Sequence, residues 1–235
     1  MPSLHSFAQR HHKKAGAATS KETKGLVLDQ GWSYDLMDRL FDPLLFRGQL
    51  RALRRRTIDL ATLQPGEQAL DVGCGTGTLA LAVQARVGPT GRVCGVDPSA
   101  RQIARARAKA ARRYGPNAPI DFQIGVIEQL PVADQTFDVV FSTLMMHHLP
   151  APLKRQGLAE IARALKPGGR LVIADFKRKQ ERQGQATRFH AGGSNVQELA
   201  ALVRGAGFDQ VEIEEMQPRR FSAFPGAGFV SARRG

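Results

Sequence analysis

The run Ala69-Leu70-Asp71-Val72-Gly73-Cys74-Gly75-Thr76-Gly77-Thr78-Leu79-Ala80 constrains this chain more than any other stretch. A short apolar segment ends in an acid, glycines follow at alternate positions, and an apolar helical pattern resumes at Leu79. That order reads as strand, tight turn and helix. With almost no side-chain bulk in the turn, a ligand can approach the main chain closely. A helix opening there also aims unpaired N–H groups and the positive end of its dipole at the ligand, which suits a carboxylate or a phosphate.

Spacing narrows the ligand. The dinucleotide fingerprint needs glycine where Thr78 stands, and the phosphate-loop pattern needs a Gly-Lys-Ser/Thr ending that is absent. Asp71 ahead of the glycines fits neither. Gly95-Val96-Asp97 ends a second strand, about the right distance on for an acid that grips two ribose hydroxyls. The same acid can instead do no more than cap the helix that starts near Ser99.

Strand and helix alternate through most of the chain. Leu50, Leu53 and Leu60 mark one face of a helix whose other face carries Arg51, Arg54, Arg55 and Arg56, a basic face of the kind that is usually solvated. Pro65-Gly66 turns into the first strand; Leu79, Ala82, Val83 and Val87 stripe the helix after the glycines. Arg92 to Asp97 is the second strand, a helix runs from about Ser99 to Arg113, and Ile120 to Ile124 is a short third strand. Phe137 to Ser142 is apolar enough to be buried on both faces. Leu158, Ile161, Ala162 and Leu165 stripe the next helix, Lys166-Pro167-Gly168-Gly169 reads as a turn, and Arg170 to Phe176 as a fifth strand. The alternation implies a parallel sheet with helices on both faces.

Three further segments stand out. Lys177 to Gly193 is polar, basic and long for a connection, which marks it as functional or disordered. Ser194-x-x-Gln197 has the form of a capping box, opening a helix that carries Val196, Leu199, Ala200 and Val203 on one face. Val211 and Ile213 alternate with Glu212 and Glu214, as in a half-exposed strand near a sheet edge, and Phe221 to Arg233 supplies the last strand beyond Pro225-Gly226.

The expected organisation is a flexible basic tail (1–25), an N-terminal helical lid (26–64) and one ligand-binding α/β domain (65–235). Trp32 and Tyr34 in the lid are placed either to line the pocket or to pack the lid down. The formal charge of +13 brings an anionic partner into consideration, either nucleic acid or an acidic membrane surface. Two cysteines, Cys74 and Cys94, support neither a disulfide framework nor a zinc cluster, and the tail's His11-His12 pair lacks the further ligands a metal needs, so no metal is expected. No apolar run approaches the ~20 residues that span a bilayer, and a reducing cytoplasm is the expected home.

The pattern Asp71-x-Gly73-x-Gly75-x-Gly77 resembles motif I of the class I S-adenosylmethionine-dependent methyltransferases. Gly95-Val96-Asp97, Leu130-Pro131 before Phe137-Asp138-Val139-Val140, and Leu165-Lys166-Pro167-Gly168-Gly169-Arg170-Leu171 agree in order. From about Leu26 onward the chain is similar to the branch typified by the ubiquinone/menaquinone-biosynthesis C-methyltransferases. The resemblance implies an α/β, Rossmann-like sheet of seven mostly parallel strands, helices on both faces and the last strand antiparallel. It also implies S-adenosylmethionine as methyl donor and S-adenosylhomocysteine as product. Gly73, Cys74, Gly75 and Gly77 would lie against the methionine part, Asp71 at its ammonium, and Asp97 with Pro98 at the ribose. The branch often carries an acid where Val126 stands, so Val126 and Ile127 would hold the adenine through main-chain groups and apolar contact. Ser142 and Thr143 would face the reacting methyl.

The acceptor is expected to be small and largely apolar. A carbon or phenol acceptor needs a base, for which His147 and His148 at the carboxyl edge of the fourth strand are candidates, with Tyr34 a third. A histidine there can equally pack the pocket wall. Two rival readings stay open. A nucleic-acid methyltransferase would suit the charge, but its Asn/Asp-Pro-Pro-aromatic motif is replaced by Ser142-Thr143-Leu144-Met145 and few aromatics are interleaved with the basic residues. A non-catalytic S-adenosylmethionine-binding regulator would keep the same motif I.

Overall fold

The computed structural model describes residues 42–177 and 194–235. The tail (1–25), the lid up to residue 41 with Trp32 and Tyr34, and the basic segment 178–193 lie outside the described residues.

After one helical turn at Asp42–Leu44 the elements are α1 (Gln49–Leu60), β1 (Gln68–Val72), α2 (Thr78–Val87), β2 (Arg92–Asp97), α3 (Ala100–Tyr114) and β3 (Ile120–Ile124). Then come β4 (Phe137–Thr143), a 3-10 turn (Met146–His148), α4 (Ala151–Ala164), β5 (Leu165–Phe176), α5 (Val196–Gly205), β6 (Phe208–Met216) and β7 (Ala227–Arg234). They build one seven-stranded sheet in the order β3-β2-β1-β4-β5-β7-β6. Neighbours from β3 through β5 pair in parallel, and β7 runs antiparallel to both β5 and β6. The order reverses between β1 and β4, so the carboxyl ends of these two strands flank a crevice, the place where open α/β sheets bind ligands.

Burial on both faces explains the near-continuous apolar reading of the central strands. On one face Leu158, Ile161, Leu199 and Val203 of α4 and α5 pack over Leu70, Val72, Val140 and Ile173. On the other, Ile58 of α1, Leu79 and Val83 of α2, and Ile103 and Ala106 of α3 cover Ala69, Val93, Val139 and Phe141. A smaller layer of Leu50, Leu53, Ala174, Phe224 and Phe229 extends this second face towards β7. The start of α1 is secured by the buried carboxylate of Asp42, which accepts from the N–H groups of Leu50 (2.8 Å) and Arg51 (3.2 Å).

Four local expectations need correction. Lys166 to Gly169 do not break the chain into a turn. β5 already begins at Leu165, opposite Phe137, and pairing resumes one bulge later at Arg170 opposite Val139, with Gly168 supplying a left-handed φ of 73°. The cap of α5 is Asn195, whose side chain accepts from the N–H groups of Gln197 and Glu198. Ser194 Oγ instead donates to Asp175 Oδ2 (2.8 Å), because a buried carboxylate outcompetes a helix end that a neighbouring Asn already satisfies. The arginine face of α1 is not simply solvated: Arg56 forms a two-pronged ion pair with Glu214 on β6, and Arg54 turns into the crevice. Finally, the edge strand is longer than its short alternating stretch indicated, running over Phe208–Met216.

Candidate functional site

The crevice holds a cavity of about 170 Å³, walled by the carboxyl ends of β1, β2 and β4 and the segments that follow them. Its floor is the glycine turn. The N–H groups of Gly73 and Cys74 both donate to Val96 O (2.8 and 3.1 Å), which fastens the turn to β2. Gly73, Gly75 and Gly77 all have left-handed φ values of 52–74°, which side chains resist. Their surroundings differ. A Cβ on Gly77 would come within 2.8 Å of the Phe122 ring, and one on Gly73 within 2.5 Å of Met145 Cγ, whereas one on Gly75 meets nothing within 4 Å. Gly73, Cys74 and Gly75 line the cavity; Gly77 does not, and serves instead as the N-cap of α2 packed on α3 and β3.

Two carboxylates face this floor. Asp97 Oδ2 accepts from the N–H of Gly75 (2.9 Å) and Oδ1 from the N–H of Ser99 (2.9 Å). So Asp97 does brace the opening of α3, as one sequence reading had it, and it also lines the cavity beside Pro98. Each oxygen keeps a second acceptor site. Burial raises its pKa, and the two N–H groups partly offset that. Asp71 is 2% exposed and its Oδ2 has no hydrogen-bond partner. Burial foremost, then the Asp97 charge, pushes its pKa up to about 7 against the opposing effects of the Ala80 N–H and the Arg54 guanidinium. A buried carboxylate left so incompletely satisfied is costly by itself and is relieved by a cation.

The far wall carries the adenine-side candidates. Val126 (2% exposed) and Ile127 (7%) line the cavity. Position 126 offers no carboxylate, but Glu128 does reach the lining, with Oε2 buried and unpartnered. Gln102 and Arg54 also line it. None of these three was singled out from sequence. Arg54 was hidden among four arginines, and nothing in a one-dimensional pattern says which of them turns inward.

On the other side β4 ends at Thr143, which lines the cavity, while Ser142 is fully buried and absent from the lining; side chains alternate along a strand, so only one of the two can face the crevice. Leu144 (φ 56°), Met145, His148 and Leu149 complete this wall. The two histidines part company. His148 lines the cavity, and burial, with a smaller contribution from the neighbouring His147, drops its pKa to about 4, against the opposing pull of Asp175, so the ring is neutral near pH 7. His147 is 7% exposed at its side chain, does not line the cavity, and is anchored to Asp175, Nδ1 to Oδ1 at 2.5 Å and backbone N–H to Oδ2 at 2.8 Å. Its ring sits 3.9 Å from that of His148, centroid to centroid. Asp175 ends the apolar run Val172-Ile173-Ala174, the same acid-after-strand signature that drew attention to Asp71 and Asp97, and that signal could have found it. Among the described residues no group of three or more His, Cys, Asp or Glu side chains is placed to hold a metal ion.

Comparisons with known proteins bear on the family and the fold. The family described as "Methyltransferase domain" matches residues 69–169. The chain is 36% identical over 160 residues to an arsenite methyltransferase of Halobacterium salinarum, covering 65% of this chain and 40% of that one. It is 34% identical over 158 residues to a ubiquinone/menaquinone biosynthesis C-methyltransferase of Hydrogenovibrio crunogenus, covering 67% and 59%. This chain therefore spans about two fifths and three fifths of these relatives. The crystal structure of a SAM dependent methyltransferase from Aquifex aeolicus superposes with a TM-score of 0.66 at 21% identity, over 87% of this chain and 98% of that one.

Proposed function

Because this chain belongs to the class I S-adenosylmethionine-dependent methyltransferases, we propose that it moves a methyl group from S-adenosylmethionine to a small, largely apolar acceptor and releases S-adenosylhomocysteine. The observation that carries the reading is the pairing, in one crevice, of the partnerless Asp71 Oδ2 with the open ground over Gly75. A ligand with a cationic amino-acid end answers both. Asp71 would face the ammonium, Arg54 the carboxylate, Asp97 the ribose hydroxyls, and Val126, Ile127 and Glu128 the adenine. The sulfonium supplies a methyl group whose transfer is downhill. This chain's own residues then have to hold the acceptor in line and exclude water. Thr143, Leu144, Met145 and Leu149 form the acceptor wall, and the neutral His148 ring accepts a hydrogen bond or proton from the acceptor there. His147 acts through its contact with His148.

The relatives' names cover quite different acceptors, arsenite and quinones among them. Chemistry of the crevice favours the organic class. Arsenite is soft and thiol-seeking, but of the two cysteines only Cys74 lines the cavity, and burial holds both thiols protonated. For nucleic acid, the wall offers Leu144, Met145 and Leu149 where base stacking would need aromatics.

The test is turnover. The chain is incubated with methyl-labelled S-adenosylmethionine and cell extract, and organic-soluble label is separated from label in RNA and DNA. Label in the organic phase is the expected result. Label confined to nuclease-sensitive material overturns the acceptor class, and calorimetric binding of S-adenosylmethionine without label in any fraction makes the chain a regulator.

A further inference from the structure

Among the described residues four large hydrophobic side chains are exposed, and three of them share one rim: Leu44 (75%), Leu45 (49%) and Phe221 (83%). Two segments far apart in sequence are sewn together there. The N–H of Ala223 donates to Leu45 O (2.9 Å), Gln49 Nε2 donates to Gln217 O (3.0 Å), and Gln49 Oε1 accepts from the N–H of Arg219 (2.9 Å). Beneath them Phe46, Phe224 and Phe176 stack edge to face, at 6.2 and 5.8 Å between centroids. The protruding residues therefore stand on a packed base.

Phe221 is doubly unusual. Its φ of 57° lies in the left-handed region, which a bulky side chain resists, and the ring so presented is almost wholly in solvent. Folding alone favours neither property. Arginines surround the apolar tip: Arg220 lies over the Phe221 ring (4.8 Å to the centroid), Arg219 reaches Arg47 O, and Arg51, in the first turn of α1, lies 3.4 Å from Asp42 Oδ2. All four are exposed, and the one acid in these two segments, Asp42, is fully buried and spent on α1.

The geometry points to this rim as a docking surface for an anionic lipid bilayer, with Leu44, Leu45 and Phe221 entering the interface and the arginines meeting lipid phosphates. The combination of apolar tip and basic collar is what such a surface selects. Other occupants fit worse. Residues 1–25 and 178–193 each carry more Lys and Arg than Asp and Glu, so either would set like charge against the collar; residues 26–41, with Asp29, Asp35 and Asp38 to one Arg39, would not, and are the rival occupant that vesicle binding by the full chain has to displace. A second copy using the same patch would oppose arginine to arginine. Nucleic acid would suit the arginines but finds in this patch a single ring, Phe221, already covered on one side by Arg220, and none in Leu44 or Leu45 for successive bases. The rim also adjoins the crevice, since Leu144 packs against the layer under the patch and lines the cavity. The docking inference does not depend on methyl transfer.

The full chain is sedimented with vesicles of phosphatidylcholine containing one third phosphatidylserine, and with pure phosphatidylcholine, at physiological salt. Binding to the anionic vesicles alone is expected. Leu44→Ser with Phe221→Ser should lower the partition coefficient by at least about tenfold, and Arg219→Glu with Arg220→Glu by about thirtyfold or more. Arg112→Glu with Arg155→Glu, the same charge change on other faces, should cost less than about threefold. Calorimetric affinity for S-adenosylmethionine, unchanged in every variant, reports the fold and keeps this outcome separate from that of the proposed activity. The inference is overturned if the anionic vesicles do not bind, if the Arg112/Arg155 pair costs as much as the rim pair, or if the apolar pair costs nothing. It is equally overturned if the apolar pair dissociates a dimer or weakens an RNA oligonucleotide while leaving vesicle binding intact.

Discussion

The two sides of the crevice are built differently. On the β1–β2 side the main chain does the positioning: the glycine turn is fastened to Val96, and Asp97 is gripped by the N–H groups of Gly75 and Ser99. On the β4–β5 side, side chains hold other side chains: Asp175 clamps His147, His147 lies against His148, and Met145 presses on Gly73. A backbone-built wall tolerates few shapes of ligand, while a wall of side chains on short segments can be recut by single substitutions without disturbing the sheet. One side is thus suited to a fixed donor and the other to a choice of acceptor.

Substitutions can break this contrast. The largest effect is expected at the acceptor wall, where His148→Ala should lower kcat by about a hundredfold and leave S-adenosylmethionine affinity unchanged in calorimetry. A loss below about tenfold would mean that His148 only shapes the wall. Asp97→Ala strikes the other side and should weaken S-adenosylmethionine by about tenfold to a hundredfold, the range for a hydrogen bond to a charged acceptor. Affinity equal to the parent's would mean that Asp97 serves only to brace α3.

Asp71 gives a pH signature of intermediate size. A cationic ligand needs its carboxylate ionised, and the pKa is raised to about 7 in the empty protein. Affinity should therefore be level above pH 7 and fall about tenfold for each unit below it. In Asp71→Asn the slope should vanish along with much of the affinity. A slope that survives in Asp71→Asn assigns the proton to another group. The smallest effect probes where the two walls touch. Gly73→Ala drives a Cβ into Met145, and Met145→Ala removes the obstacle, so a double-mutant cycle on thermal stability should show favourable coupling of about 1 kcal/mol. Strict additivity would mean that the backbone strain at Gly73 is the whole cost.

The same contrast explains what could be read in advance. Asp71, the glycines and Asp97 were legible because a main-chain site leaves its mark on local sequence: small residues where the backbone must bend, an acid where a strand ends. The sheet was legible through its buried apolar runs. Arg54 and Glu128 were not, since their roles depend on which way a helix face or a loop turns once packed; Asp175 bears the same strand-end mark, but its partners His147 and Ser194 come from other parts of the chain and only the fold joins them. Ser142 and Thr143 show the limit within a single strand, as the spacing named both and the alternation of the strand admits one. The cap of α5 failed similarly: Ser194 matched the pattern, and a tertiary partner, Asp175, drew it away.

One feature at the end of β5 bears on how such a protein can change. Lys177 and Ser194 are bridged in parallel, and the Ser194 N–H donates to Phe176 O at 2.8 Å, so the chain departs and returns at one doorway. Because the two ends are already joined, the entropy of closing whatever lies between them grows only logarithmically, about 0.6 kcal/mol for each doubling of length. Residues 178–193 are in that sense a cassette: a segment of another length or composition can stand between Lys177 and Ser194 without the sheet having to register the swap.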